Sequence, residues 1–126
     1  MKKPNFFVIG APKCGTTSMC TWLAEHPDVF IPDRTEPNYF SPDTVSNRVH
    51  PLTAYEKLFE GAKESHVAIG EGSSNYLRSD LAVPRIIEYT EEPRFIVMIR
   101  NPIEMARSLH HFLVGKTEED IADFAT

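Results

Sequence analysis

Four consecutive apolar residues, Phe6-Phe7-Val8-Ile9, run directly into Gly10-Ala11-Pro12-Lys13-Cys14-Gly15-Thr16-Thr17. No other stretch limits the fold as much. A short, unbroken apolar run reads as a strand buried on both faces, which is the habit of parallel sheets. Two glycines bracket the next six residues and permit tight turns and close approach to a ligand. Thr16 onwards, with Met19, Trp22 and Leu23 at helical spacing, reads as a helix to about Glu25, stopped by His26-Pro27. Strand, glycine-bounded loop and helix start make an anion site. The first amides of a helix have no partner inside it, and the helix dipole favours negative charge there. Lys13 adds a mobile point charge.

The lysine stands in the wrong place for a nucleoside triphosphatase. Such a loop reads G-x-x-x-x-G-K-[ST], with lysine after the second glycine and a hydroxyl on magnesium. Here Thr16 follows Gly15 and Lys13 precedes it. No apolar strand ending in an aspartate offers itself to hold a metal. The loop is therefore expected to hold a phosphate-linked group by its amides, the Thr16 and Thr17 hydroxyls and Lys13, with no metal required. Cys14 within it has two roles open: a spacer, or a thiol made reactive by the loop amides and Lys13.

The rest of the chain alternates in the same way. Thr53 to Glu56 has the form of a capping box, opening a helix with Tyr55, Leu58, Phe59 and Ala62 on its apolar side. His66 to Gly70 reads as a second buried strand, ending at Glu71. Pro84 fits the first turn of a short helix, 84–89. Arg94 to Ile99 reads as a third strand, and Pro102 opens a helix over about 103–114 that Gly115 closes. Residues 27–51, rich in proline, read as a long loop, a kind that is usually functional. Thr117 to Asp120 looks like a further helix start. This order of elements predicts an α/β fold: a mainly parallel sheet flanked by helices, like that of P-loop NTPases. Residues 1–126 are expected to form one domain, or the first part of one, because a helix has only just begun where the sequence stops.

Composition narrows the function. The net charge of −5 argues against nucleic acid as a partner. Two cysteines provide neither a disulfide framework nor a zinc pattern, so free thiols and a cytoplasmic location are expected. No apolar run approaches the roughly 18 residues of a membrane span.

Three segments carry a family resemblance. "GAPKCGTTSMCTWLAEHPDVFIPDRTEPNYF" closely resembles the opening of sulfotransferases that use 3′-phosphoadenosine 5′-phosphosulfate, whose P-K-x-G-T-T loop binds the 5′-phosphosulfate. "FIVMIRNPIEMARSL" resembles the strand, loop and helix that grip the donor's 3′-phosphate, with Arg100 at the strand end and Ser108 eight positions on. "GEGSSNYL" resembles the intervening strand end, although the family often has lysine where Gly72 stands and proline where Ser74 stands. The resemblance spans about residues 6–126. It implies a sulfotransferase whose donor is held by Lys13, Cys14, Gly15, Thr16, Thr17, Arg100 and Ser108. It also implies an acceptor that is a small molecule or a glycan bearing a hydroxyl or amine.

The base that takes the acceptor's proton has two carboxylate candidates. "RTEPNYF" resembles the K-E-P-x-F-F segment of glycan-type sulfotransferases, which maps their glutamate onto Glu36. Glu71, at the end of a buried strand beside Gly72-Ser73-Ser74, is the other. Each also has a structural role open to it, in binding backbone amides. Structural roles are expected for all five histidines. The competing function is a phosphate-loop kinase, which Thr16 and the Arg100–Ser108 pair disfavour. A nucleotide-binding fragment without catalysis is the non-enzymatic alternative.

Overall fold

A computed structural model describes residues 2–104 together with Arg107 and His110. Four strands form one sheet: β1 (Phe6–Gly10), β2 (Val29–Phe30), β3 (Ala68–Gly72) and β4 (Arg94–Val97), in the order β2-β3-β1-β4. Every pairing is parallel. Among the described residues, helices α1 (Thr16–Leu23), α2 (Leu52–Lys57) and α3 (Ala82–Tyr89) accompany them. The α/β class expected from the alternation is the one observed.

The period of two along each strand sorts the layers. Phe7, Ile9 and Ile69 enter one core with Tyr55 and Phe59 from the α2 region and Ala82 and Ile86 from α3. The opposite face meets α1, where Phe6 lies flat against Gly70 and Cys20 lies against Gly72. A Cβ on Gly70 would sit 2.4 Å from the Phe6 ring, so this position excludes any larger residue while Phe6 stays in place. All five residues of β1 are buried, as the apolar run foretold.

β1 is central. The chain leaves it toward β2 and β3 on one side and returns to β4 on the other, so the direction of winding switches beside β1. In open α/β sheets ligands gather at such a switch, outside the carboxyl ends of the strands. The Gly10–Gly15 loop and the chain after β4 both start there.

Some boundaries differ from expectation. α1 ends at Leu23, and Trp22, assigned to its apolar face, is 67% exposed. Its neighbours Met19 and Leu23 are half-buried. The capping box at Thr53 does not form. Pro51 is the N-cap of α2, with no side-chain cap, and the Glu56 carboxylate accepts the Tyr89 hydroxyl at 2.6 Å. Residues 27–51 include the short strand β2, whose pairing with β3 no local pattern announces. β3 starts at Ala68 rather than His66, and β4 ends at Val97 rather than Ile99, which is 87% exposed. Residues 102–104 are helical. The remainder of the helix expected to 114, its stop at Gly115 and the start at Thr117 lie outside the described residues.

Candidate active site

The loop after β1 closes on itself through the Cys14 N–H, which donates to the Ala11 carbonyl at 3.1 Å. The Cys14 side chain is buried, so it faces away from solvent while Lys13 is exposed. Lys13 takes a left-handed backbone, with φ of 64°, and Gly15 takes φ of 88°. Gly15 is the N-cap of α1, and this conformation is where glycine costs least. Nothing lies within 4 Å of the position a Gly15 side chain would occupy. The helix start carries no side-chain cap and no acidic residue in its first turn. Thr16 is buried at the loop's edge and Thr17 is exposed. This is an open set of amide and hydroxyl donors on a helix start, and it fits an anionic ligand of the phosphate type.

Arg100 reaches the same loop from β4. Pairing with β1 continues past Val97, through the Met98 N–H to the Gly10 carbonyl at 2.7 Å and the Ala11 N–H to the Met98 carbonyl at 3.0 Å. Two residues further on, Arg100 Nη1 donates to the Lys13 carbonyl at 2.9 Å. Its Nε lies 3.9 Å from Glu104. Arg100 is exposed, so that weak pair leaves the guanidinium open to a ligand. Ser108, its expected companion, lies outside the described residues.

A cleft of about 230 Å³ opens beside α1. Thr16, Thr17, Cys20 and Gly72 line one side, and residues Ile31 to Glu36 line the other. Glu36 therefore shares a cavity with the helix start, which sequence separation alone could not show. Its Oε2 accepts the Ser74 N–H at 2.8 Å, and no bond to Oε1 is seen among the described residues. Glu36 and Asn38 both have left-handed backbones, with φ of 51° and 54°. Cys20 faces this cleft half-buried. Burial, followed by the charges of Glu71 and Glu36, pushes its thiol up to about 11, so it is protonated at neutral pH.

Glu71 occupies a different environment. It is 1% exposed, and three hydroxyls donate to it: Tyr55 and Tyr76 to Oε2, both at 2.7 Å, and Ser73 to Oε1 at 2.6 Å. Burial pushes its carboxyl up to about 7; the three hydroxyl bonds oppose this rise, and the nearby Glu36 charge adds to it. The same burial, with Glu71 alongside, holds the Tyr55 and Tyr76 hydroxyls far above their ordinary range. Glu71 does not line the cleft. The structure thus brings Lys13, Thr16, Thr17, Glu36 and Arg100 to one end of the sheet and leaves Glu71 beneath it. The hydroxyl cage of Glu71 is what sequence reasoning missed. Its one sequence sign is the pairing of Ser73 and Tyr76 just downstream.

The position of Gly72 also has a structural reason. A Cβ there would lie 2.5 Å from Cys20 Sγ. The sulfur of α1 fills the space in which a lysine stem would begin.

Among the described residues, no helix is long and apolar enough to cross a membrane. The sulfotransferase domain family matches residues 3–124. The membrane-associated sulfotransferase kil1 of Dictyostelium discoideum is 31% identical over 113 residues, covering 88% of this chain and 23% of that protein. Carbohydrate sulfotransferase 15 of Mus musculus is 25% identical, covering 98% of this chain and 30% of that protein. The crystal structure of a sulfotransferase from Alicyclobacillus acidocaldarius superposes with a TM-score of 0.88 at 32% identity, covering 97% of this chain and 54% of that one. The chain thus spans less than a third of these two curated relatives and about half of the solved structure. With the parallel sheet, the open loop after β1 and a domain match over nearly its whole length, the chain belongs to the sulfotransferase family.

Proposed function

We propose that the protein transfers a sulfuryl group from 3′-phosphoadenosine 5′-phosphosulfate to the hydroxyl of a small-molecule or glycan acceptor. The observation that carries this reading is the shared cleft, where the uncapped start of α1 and the Glu36 carboxylate face one cavity. When bound, the donor supplies the sulfuryl group and leaves as a bisphosphate. The amides at Gly15 to Thr17, with the Thr16 and Thr17 hydroxyls, hold its 5′ end. Lys13 neutralises the charge that grows on the oxygen between sulfur and phosphorus. Arg100 offers its planar fork to the 3′-phosphate. Positioning and charge stabilisation are the main demands of such a transfer.

Glu36 takes the proton from the acceptor hydroxyl. It lines the cleft, and the Ser74 amide fixes one of its oxygens. The place of Glu71 in the core, where three hydroxyls occupy its two oxygens, supports Glu36 over Glu71 for this part. Cys14 and Cys20 are not joined in a disulfide, which supports a reducing, cytoplasmic setting.

The test is transfer from a labelled donor to a panel of acceptor classes, using the full chain. A correctly placed base contributes roughly a hundredfold or more. Glu36→Gln should therefore lower the rate by at least about a hundredfold, with affinity for 3′,5′-bisphosphoadenosine within about threefold. A fully active Glu36→Gln beside a dead Glu71→Gln would move the base to Glu71. Absence of transfer to every acceptor class, in a protein that binds the bisphosphate, would favour a non-catalytic nucleotide-binding role.

A further inference from the structure

We propose that Glu71 is a positioning residue for Glu36, acting through the Ser73 hydroxyl and the Asn38 backbone. The proposal rests on the reading of Glu36 as the base.

The first observation concerns the loop that carries Glu36. Two of three successive residues, Glu36 and Asn38, hold left-handed backbones, with Pro37 between them. For residues with a Cβ this conformation is unfavourable, less so for asparagine. It persists only where the surroundings over-determine it. Asn38 is 5% exposed and supplies most of the anchors. Its side-chain amide donates to the Glu36 carbonyl at 3.0 Å. Its own carbonyl accepts the Ser41 N–H and hydroxyl, both at 3.2 Å. Its N–H donates to Ser73 Oγ at 2.9 Å.

That last bond depends on Glu71. A serine hydroxyl has one proton and two lone pairs. When ionised, Glu71 accepts the Ser73 O–H at Oε1, and this turns a lone pair of the serine oxygen toward the Asn38 N–H. Without an acceptor below it, the Ser73 hydroxyl is free to rotate its proton toward Asn38. The next residue along completes the clamp, since the Ser74 N–H donates to Glu36 Oε2. Ser73 thus fixes the backbone of the Glu36 loop while Ser74 fixes the carboxylate, and both stand directly after β3, within three residues of Glu71.

Glu71 also satisfies the two buried tyrosine hydroxyls. Tyr55 from α2 and Tyr76 from the turn after β3 close it off from the core side. Cys20 on α1 and Glu36 are its titratable neighbours toward the cleft. A buried carboxylate costs stability, and its retention needs a compensating role. Orientation of the Ser73 hydroxyl is a role the geometry provides.

Amide hydrogen exchange gives a readout independent of turnover. The Asn38 amide should exchange at least tenfold faster in Ser73→Ala than in the wild type, while the buried Phe7 and Val8 amides stay within twofold. Glu71→Gln should do the same, because both tyrosines claim the glutamine oxygen and its NH2 then faces Ser73. Tyr55→Phe leaves the Ser73 contact in place and should leave Asn38 protected. Wild-type protection of Asn38 in Ser73→Ala overturns the proposal, and this smaller change keeps it decidable if Glu71→Gln does not fold. A double-mutant cycle on transfer by the full chain adds the functional arm. Ser73→Ala should slow the wild type about tenfold and slow Glu36→Gln less than twofold. Equal losses in both backgrounds show a general structural role and overturn the proposal. Full activity of Glu36→Gln instead overturns Glu36 as base, and the exchange result still decides whether Glu71 and Ser73 hold its loop.

Discussion

Arg100 Nη1 and the Lys13 carbonyl lie 2.9 Å apart, although 87 positions separate them in the chain. The contact follows from parallel pairing of β1 with β4. Residues 10 and 98 bond across the strand ends, and the next turn of chain delivers the guanidinium over the loop. One residue thus helps to shape the loop while its own charge remains exposed.

Lys13→Ala should remove most turnover and leave the fold intact. Lys13 is exposed and its backbone is held by the loop, so the change removes charge without opening a core cavity. A charge-assisted contact is worth roughly 1.5–3 kcal/mol, or about ten- to a hundredfold in rate. Single-turnover transfer at saturating donor, beside circular dichroism, measures both effects. Activity within threefold of wild type removes Lys13 from the proposed machinery.

The protein should bind 3′,5′-bisphosphoadenosine more tightly than ADP or ATP, without magnesium, by about ten- to a hundredfold. ADP and ATP place all their phosphates on the 5′ side and leave Arg100 unpaired by ligand. Arg100→Ala should erase most of this preference. ADP affinity should stay within about threefold, since only the hydrogen bond to the Lys13 carbonyl is lost from the loop. Calorimetric titration of the three nucleotides, with and without magnesium, tests this. Magnesium-dependent ATP binding that exceeds bisphosphate binding would support the kinase reading instead.

Stability should fall as pH rises from about 5 to 8. The Glu71 carboxyl has a folded pKa of about 7, against 4.5 for an ordinary glutamate. Between these values the folded protein holds a proton that the unfolded chain has lost, so stability is greatest below the unfolded pKa and declines through the folded one. At 1.36 kcal/mol per pKa unit the decline is on the order of 3 kcal/mol, or about 10 °C in Tm. Other groups titrate in the same window, so the decisive comparison is with Glu71→Gln, whose Tm should vary much less with pH. An unchanged slope in that variant shows that another group controls it.

The α/β class and the glycine-bounded turn after β1 were legible in the sequence because both rest on local chemistry. An apolar run of four residues needs burial on two faces, and glycines at 10 and 15 around Lys13 can scarcely do anything but turn. The resemblance to sulfotransferases was equally local, carried by short motifs at strand ends. Where the expectations failed, a non-local contact had decided. The strand β2 exists because Val29 and Phe30 lie beside Ala68 and Ile69, a partner invisible from within 27–51. The capping box at Thr53 lost to Tyr89, which claims the Glu56 carboxylate from another helix. Glu36 and Glu71 looked alike as loop-end carboxylates, and their sequence neighbours could not separate them. Folding placed one against a cleft with the start of α1 and drew three hydroxyls, two from tyrosines of the core, around the other. Whether a carboxylate meets solvent or core depends on which elements pack over it, and that is a property of the assembled sheet and helices rather than of any segment alone.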